Sequence, residues 1–203
     1  MYPAWSEEEV WDICLSLLEK DIPFPTFRDS IKEFRDDFHQ IYEQIRDEHS
    51  HIKGKYFRDK RKKPIVNPIN LAHYTRLIYY FSRLLIKKNV DRFILDQLFL
   101  SIKTRCCIDL FYEFDIKKYF LPAHALATVM GRAQYSDYLV VHQNCTIGNN
   151  KRKYPKLGKG VILGAGSIVL GDCRIGDNVY VAAGALVIDS DIPSNSIAFG
   201  QVP

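Results

Sequence analysis

Residues 157–199 read LGKGVILGAGSIVLGDCRIGDNVYVAAGALVIDSDIPSNSIAF, and Leu157, Leu163, Val169, Ile175, Val181, Val187, Pro193 and Phe199 recur in them at intervals of six. Every marker except Pro193 is aliphatic or aromatic. The next residue is often Gly or Ala (Gly158, Gly164, Gly176, Ala182, Gly200), and the one four on is small or β-branched (Val161, Ser167, Cys173, Val179, Ala185). A chain of this kind turns a corner every six residues. Three short strands then make one coil of a parallel β-helix, in which the large side chains fill the axis and residues eighteen apart lie above one another.

Counting backwards, Ile147, Val141 and Tyr135 keep the spacing, with Cys145 and Leu139 at the compact positions. From Ile147 to Leu157 the interval is ten, so four residues of NNKRKYP are surplus and protrude as a loop. Near GRAQY the register slips by one.

The front of the chain has a different grammar. Of eleven glycines only Gly54 precedes Gly131, and aromatic and charged residues crowd the first hundred and twenty positions. Two folding units are expected in 203 residues, a helical domain over 1–112 and a β-helix over 113–203. Ser6 ahead of Glu7, Glu8 and Glu9 is a helix-capping signal, and Val10, Trp11, Ile13, Cys14, Leu17 and Leu18 form its apolar stripe. That helix ends near Lys20, before the punctuation of Pro23 and Pro25. Further amphipathic helices are expected over 26–50, 69–88 and 91–111.

The net charge of +4 is mild and makes no general case for nucleic acid or membrane as partner. Within it, residues 53–63 form the densest basic run, read as a solvated loop with an anionic glycan or membrane surface as the functional alternative. The five cysteines show no metal-ligand spacing and read as reduced packing residues of a cytoplasmic protein. No signal peptide is indicated, and LIYYFSRLLI is too short to span a bilayer.

His124 and His142 are the histidines of the repeat half, eighteen apart and so about one coil apart. A neutral imidazole oriented by a carboxylate takes a proton from a hydroxyl at neutral pH, which suits acyl transfer to an alcohol. Glu113 and Asp115 are the nearest upstream carboxylates.

From Phe114 to Gly200 the chain resembles the serine acetyltransferase group of the hexapeptide acyltransferases. FDIKKYFLPAHALATVMG resembles the segment carrying that family's catalytic Asp–His pair, HQNCTIGNN its Gln-x-x-Thr-Leu-Gly-Gly segment, and YPKLGKGVILGAGSIVLGDCRIG its coils. The resemblance implies a left-handed β-helix, a homotrimer of a kind often paired into hexamers through the helical domain, and acetyl-CoA bound between adjacent β-helices without a metal. It makes His124 the general base and Asp115, or Glu113, its orienting partner. It also places Gly148 beside the thioester and Ala165 and Ala183 along the pantetheine arm, with His142, Gln143 and Tyr154 on the acceptor side.

Where that family has an Asp before the catalytic His and an Arg-His-Pro segment after the long loop, this chain has Ala123 and Lys153-Tyr154-Pro155. The missing clamps for an amino acid point to a sugar hydroxyl of a bacterial surface polysaccharide as acceptor. Serine O-acetylation for cysteine synthesis and a non-catalytic β-helix serving assembly are the alternatives.

Overall fold

The computed structural model describes residues 4–22, 24 and 27–202, so Pro23 and Pro25, on which the helix-ending punctuation rests, and Thr26, where the second expected helix begins, lie outside it. Two compact units divide between Arg105 and Cys106, seven residues ahead of the boundary at 112 expected from composition. The helix expected to run to 111 ends at Cys106, because Cys107 turns left-handed (φ 53°) and Ile108–Leu110 already pairs in parallel with Thr128–Met130.

In the first unit α1 (Glu7–Asp21) starts on a complete capping box. The Glu9 N–H donates to Ser6 Oγ, and the Ser6 N–H donates to Glu9 Oε2 at 2.7 Å. Such a cap contributes about 1 kcal/mol. The single helix expected over 26–50 is two, α2 (Phe27–Lys32) and α3 (Arg35–Ser50), because Phe34 leaves helical angles at φ −96°, ψ 22°. The α4 helix (Leu71–Lys87) is capped by Asn70, whose side chain accepts from the Ala72 and His73 N–H groups, and α5 (Arg92–Cys106) follows. Trp11, Phe38 and Phe81 stack edge to face at 5.0 and 5.5 Å and tie α1, α3 and α4 into one core.

The second unit is a three-sided stack of short parallel strands. One face comprises β1 (Ile108–Leu110), β3 (Thr128–Met130), β5 (Thr146–Gly148), β8 (Ile168–Leu170), β11 (Leu186–Ile188) and β13 (Gln201–Val202). A second comprises β2 (Leu121–Pro122), β4 (Val140–Val141), β7 (Ile162–Leu163), β10 (Tyr180–Val181) and β12 (Ile197–Ala198). The third is β6 (Lys156–Leu157) on β9 (Arg174–Ile175), extended by bridges from Gln134 to Lys156 and from Ile175 to Ile192. Val141, Leu163 and Val181 register vertically and are fully buried, as are Ile147, Val169 and Val187. Each such side chain contributes about 1.5–3 kcal/mol by leaving water.

The marker series fails at its end. Pro193 and Phe199 face solvent, Phe199 at 76% exposure, while Ile192 and Ala198 point inward. Ile175 pairs with Ile192 and Val181 with Ala198, intervals of seventeen, so one residue is missing from the last coil and the phase moves back by one. The slip at GRAQY has the same origin, because Met130 to Gln134 takes four steps where Val169 to Arg174 takes five. The tightened corner admits only glycine at 131, where a Cβ would lie 2.3 Å from the Ile147 carbonyl oxygen. The surplus after Ile147 closes on itself as a hairpin. Asn150 and Lys153 bridge in antiparallel fashion, and Lys151 and Arg152 both have positive φ (49° and 64°) between them.

Candidate active site

At each corner between the second face and the first, one residue is left-handed. The row is Cys107, Ala127, Asn144, Gly166, Gly184 and Gly200, with φ from 53° to 71°. It is stitched vertically at 2.8–2.9 Å by N–H groups of Ala127, Asn144, Gly166 and Gly184, which donate to the carbonyls of Cys107, Leu126, Gln143 and Ala165.

His124 belongs to this edge as an extra. Pro122 to Val129 takes seven steps where the registered stretch from Val141 to Thr146 takes five, so the corner carrying His124 is two residues longer than the one stacked on it. The added residues let a second backbone position turn left-handed, and it is His124 at φ 53°. Non-glycine residues in that region are uncommon, cost about 1–3 kcal/mol and cluster where function requires them. Its carbonyl accepts from the Leu126 N–H at 2.7 Å, which fixes the excursion, and its side chain is exposed.

The register puts Pro122 opposite Val141, so Ala123 and His124 sit against His142 and Gln143 of the next coil. Ala165 and Ala183 continue the same edge in the following coils, each directly before a left-handed glycine. The N–H groups of Gln143, Ala165 and Ala183 have no acceptor among the described residues. The edge is therefore a row of unused main-chain donors, about 4.8 Å apart, the spacing of neighbouring strands. The small side chains of Ala165 and Ala183 leave it open to a thin ligand.

The other sequence candidates lie elsewhere. Gly148 ends β5 at the opposite side of the first face, because that strand runs away from the His124 edge. Tyr154 follows the hairpin on that same far side, 40% exposed, with the Arg132 guanidinium 5.8 Å from its ring centroid. Arg132 was not singled out from sequence; its signal was its place directly after the register slip at Gly131. Lys153 is held by Asp172 at 2.7 Å, which raises the lysine pKa and lowers that of the carboxyl through their hydrogen bond and charge. Asp115 is exposed and ion-paired with Lys117. Among the described residues no hydrogen bond or ion pair joins the His124 ring to Asp115 or Glu113.

Cys145 is fully buried with Sγ 3.1 Å from the Gly164 carbonyl oxygen, a packing position, and Cys173 is likewise interior. No group of three metal-ligating side chains occurs among the described residues, and no helix among them is long and apolar enough to cross a membrane.

Residues 154–189 match the family model described as "Bacterial transferase hexapeptide (six repeats)". The serine acetyltransferase of Synechococcus elongatus is 35% identical over 82 residues, 38% of this chain and 33% of that protein. That of Helicobacter pylori strain 26695 is 34% identical over 83 residues, 38% of this chain and 48% of that protein. The chain thus spans between a third and a half of the length of these curated relatives. The crystal structure of serine acetyltransferase from Brucella abortus superposes with a TM-score of 0.67 at 19% identity, covering 97% of this chain and 81% of that one. A serine acetyltransferase solved in complex with CoA gives 0.67 at 22% identity, covering 94% and 81%. Both units are included in that likeness, which bears out a helical front followed by a parallel β-helix. The carboxy-terminal unit is a hexapeptide-repeat β-helix, and the chain as a whole has the fold of the serine acetyltransferases.

Proposed function

We propose that the protein is an acetyl-CoA-dependent O-acetyltransferase and that its acceptor is serine. The observation that carries the reading is the single edge on which an exposed, backbone-constrained His124 stands above the unused N–H groups of Gln143, Ala165 and Ala183. The pantetheine arm, an extended amide chain, fits such a row. His124 removes the proton of the acceptor hydroxyl, and the alkoxide attacks the acetyl carbonyl. The Gln143 N–H, one coil from His124, stabilises the oxyanion in place of Gly148, which the resemblance put beside the thioester. Collapse of the tetrahedral intermediate breaks the C–S bond, and the departing CoA thiolate takes the proton from the imidazolium.

The acting form is a homotrimer. Leu121, Val140, Ile162, Tyr180 and Ile197 register into one outward apolar column on the second face, with Ile197 64% exposed, and such a column is buried by a neighbouring copy. The carboxylate that orients His124 then comes either from Asp115 or Glu113 after assembly or from the acceptor itself. The helical unit supplies the pairing of trimers, and the reaction takes place in the cytoplasm.

Every relative named above is a serine acetyltransferase, which favours serine over the surface-polysaccharide acceptor expected from the missing clamps. Ala123 and the half-exposed Tyr154 keep a sugar hydroxyl as the second reading. Release of the CoA thiol from acetyl-CoA, with free serine in one arm and sugar nucleotides or oligosaccharides in the other, separates them. Thiol release with serine and loss of it in His124→Ala is expected. Release only with a sugar transfers the assignment to the second reading, and release with neither leaves a non-catalytic assembly protein.

A further inference from the structure

The basic run 53–63 is a built hairpin in the helical unit. Arg58 and Pro64 bridge in antiparallel fashion, and the Asp59 N–H donates to the Lys63 carbonyl at 2.9 Å. Asp59, the run's one carboxylate, accepts from the Arg61 and Lys63 N–H groups at 2.8 Å each, so it is spent on the turn. Arg58 points inward to the carbonyls of Ser50, Ile52 and Lys62. The hairpin is pinned beneath by two buried histidines. His49 Nδ1–H donates to the Ile65 carbonyl at 2.7 Å, and the Asn67 N–H donates to His73 Nδ1 at 3.0 Å. The Phe57 ring packs 4.9 Å from each imidazole. Burial first, then the charge of Arg76, hold both rings neutral, at about 2 for His49 and about 3 for His73, so the pin does not titrate in the physiological range.

What this frame presents is Lys53, Lys55, Lys60, Arg61, Lys62 and Lys63, all exposed, and among the described residues none of them is ion-paired. Elsewhere in the same unit the pattern is the reverse. Arg28, Arg35, Arg46, Lys88 and Arg105 each face a carboxylate of Glu19, Glu7, Glu43, Asp37 and Asp21. Residues 53–63 hold seven of the nineteen Lys and Arg of residues 1–105 but one of their sixteen Asp and Glu, so the remainder of the unit is net acidic. Six cations without a carboxylate partner on one surface segment make a positive patch that attracts an anionic counterpart from outside the chain. Five of the six are lysines, compact point charges without the planar fork that reads a carboxylate or a base edge, and Tyr56 stands 43% exposed beside Lys55, whose Nζ lies 5.0 Å from its ring centroid. Lysines with one exposed aromatic suit a plane of phosphate headgroups.

We propose that the hairpin over 53–63 docks the protein peripherally on anionic phospholipid surfaces.

The test is co-sedimentation of the full chain with vesicles of phosphatidylcholine alone and of phosphatidylcholine carrying roughly one quarter phosphatidylserine, at ~0.1 M and ~0.5 M salt. Binding is expected on the anionic vesicles only, weakened at the higher salt. K60Q/R61Q/K62Q/K63Q should lower the partition by about 100-fold or more, and K60Q/K62Q by an intermediate factor. Melting curves of both variants check the fold, and the double variant carries the test should the quadruple one unfold. Equal binding to neutral vesicles, wild-type binding by a folded variant, or capture of single-stranded RNA or polyglutamate in place of vesicles would each overturn the proposal.

Discussion

Two edges of the β-helix make the same backbone demand and answer it in opposite ways. On the edge entering the second face, Tyr119, Tyr138, Gly160, Asn178 and Asn195 are left-handed. At three of these five corners the residue before the left-handed one is capped from a neighbouring coil: the N–H groups of Lys118, Lys159 and Asp177 donate to Asp137 Oδ1, Asp177 Oδ1 and Ser194 Oγ at 2.7–3.1 Å. Tyr119 and Tyr138 stack at 4.5 Å, and Asn178 donates to Asn195 across coils. On the edge leaving that face the equivalent positions are Gln143, Ala165 and Ala183, and their N–H groups go unused. Left-handed corners are thus a requirement of the coil, whereas uncapped donors are a requirement of neither fold nor packing. The second edge leaves all three of these donors without an acceptor among the described residues.

The largest expected effect falls on the extra residue of the open edge. His124→Ala should lower turnover by about 10²–10⁴-fold in the thiol-release assay while circular dichroism stays that of the wild type, and a normal rate would dissolve the contrast between the edges. Next, Ala165→Leu or Ala183→Leu should weaken acetyl-CoA binding by about 10–100-fold in calorimetry, since each fills the row with bulk. Lys159→Leu at the equivalent place on the sealed edge should leave the affinity unchanged. A smaller change is expected from Asp177→Ala, which uncaps the Lys159 N–H and should cost about 1 kcal/mol in denaturant unfolding without altering acetyl-CoA affinity. Of similar size is Gly184→Ala, where a Cβ meets nothing within 4 Å and only the left-handed φ of 70° opposes it, a cost of about 1–2 kcal/mol in the same experiment.

Much of the open edge was legible in the sequence. The spacing of eighteen between Ala165 and Ala183 put them on one line because no insertion separates them, and the structure registers their coils through Leu163 and Val181. The four surplus residues after Ile147 were countable for the same reason. What could not be counted was a change of corner length without a marker on either side. The two added residues around His124 sit between Pro122 and Val129, where no hexad had begun, and the lost residue before Ile192 hid behind Phe199, which satisfied the pattern while pointing outward. The pairing of Asp115 with His124 was a matter of reach across a connection of irregular backbone, which spacing does not encode. In the helical unit the stripe from Phe27 to Ile45 read as continuous, and nothing in its periodicity marked Phe34 as the break.

The hairpin closed by Asn150 and Lys153 has a consequence for how this scaffold changes over time. Its stem leaves and rejoins the wall at one spot, and the coils on either side keep their pairing, Ile147 with Val169 and Lys156 with Arg174. Length added or removed at its tip is invisible to the rest of the stack. Such a port lets a lineage rewrite the residues beside Tyr154 by insertion and deletion while the edge that carries His124, across the same face, is inherited untouched.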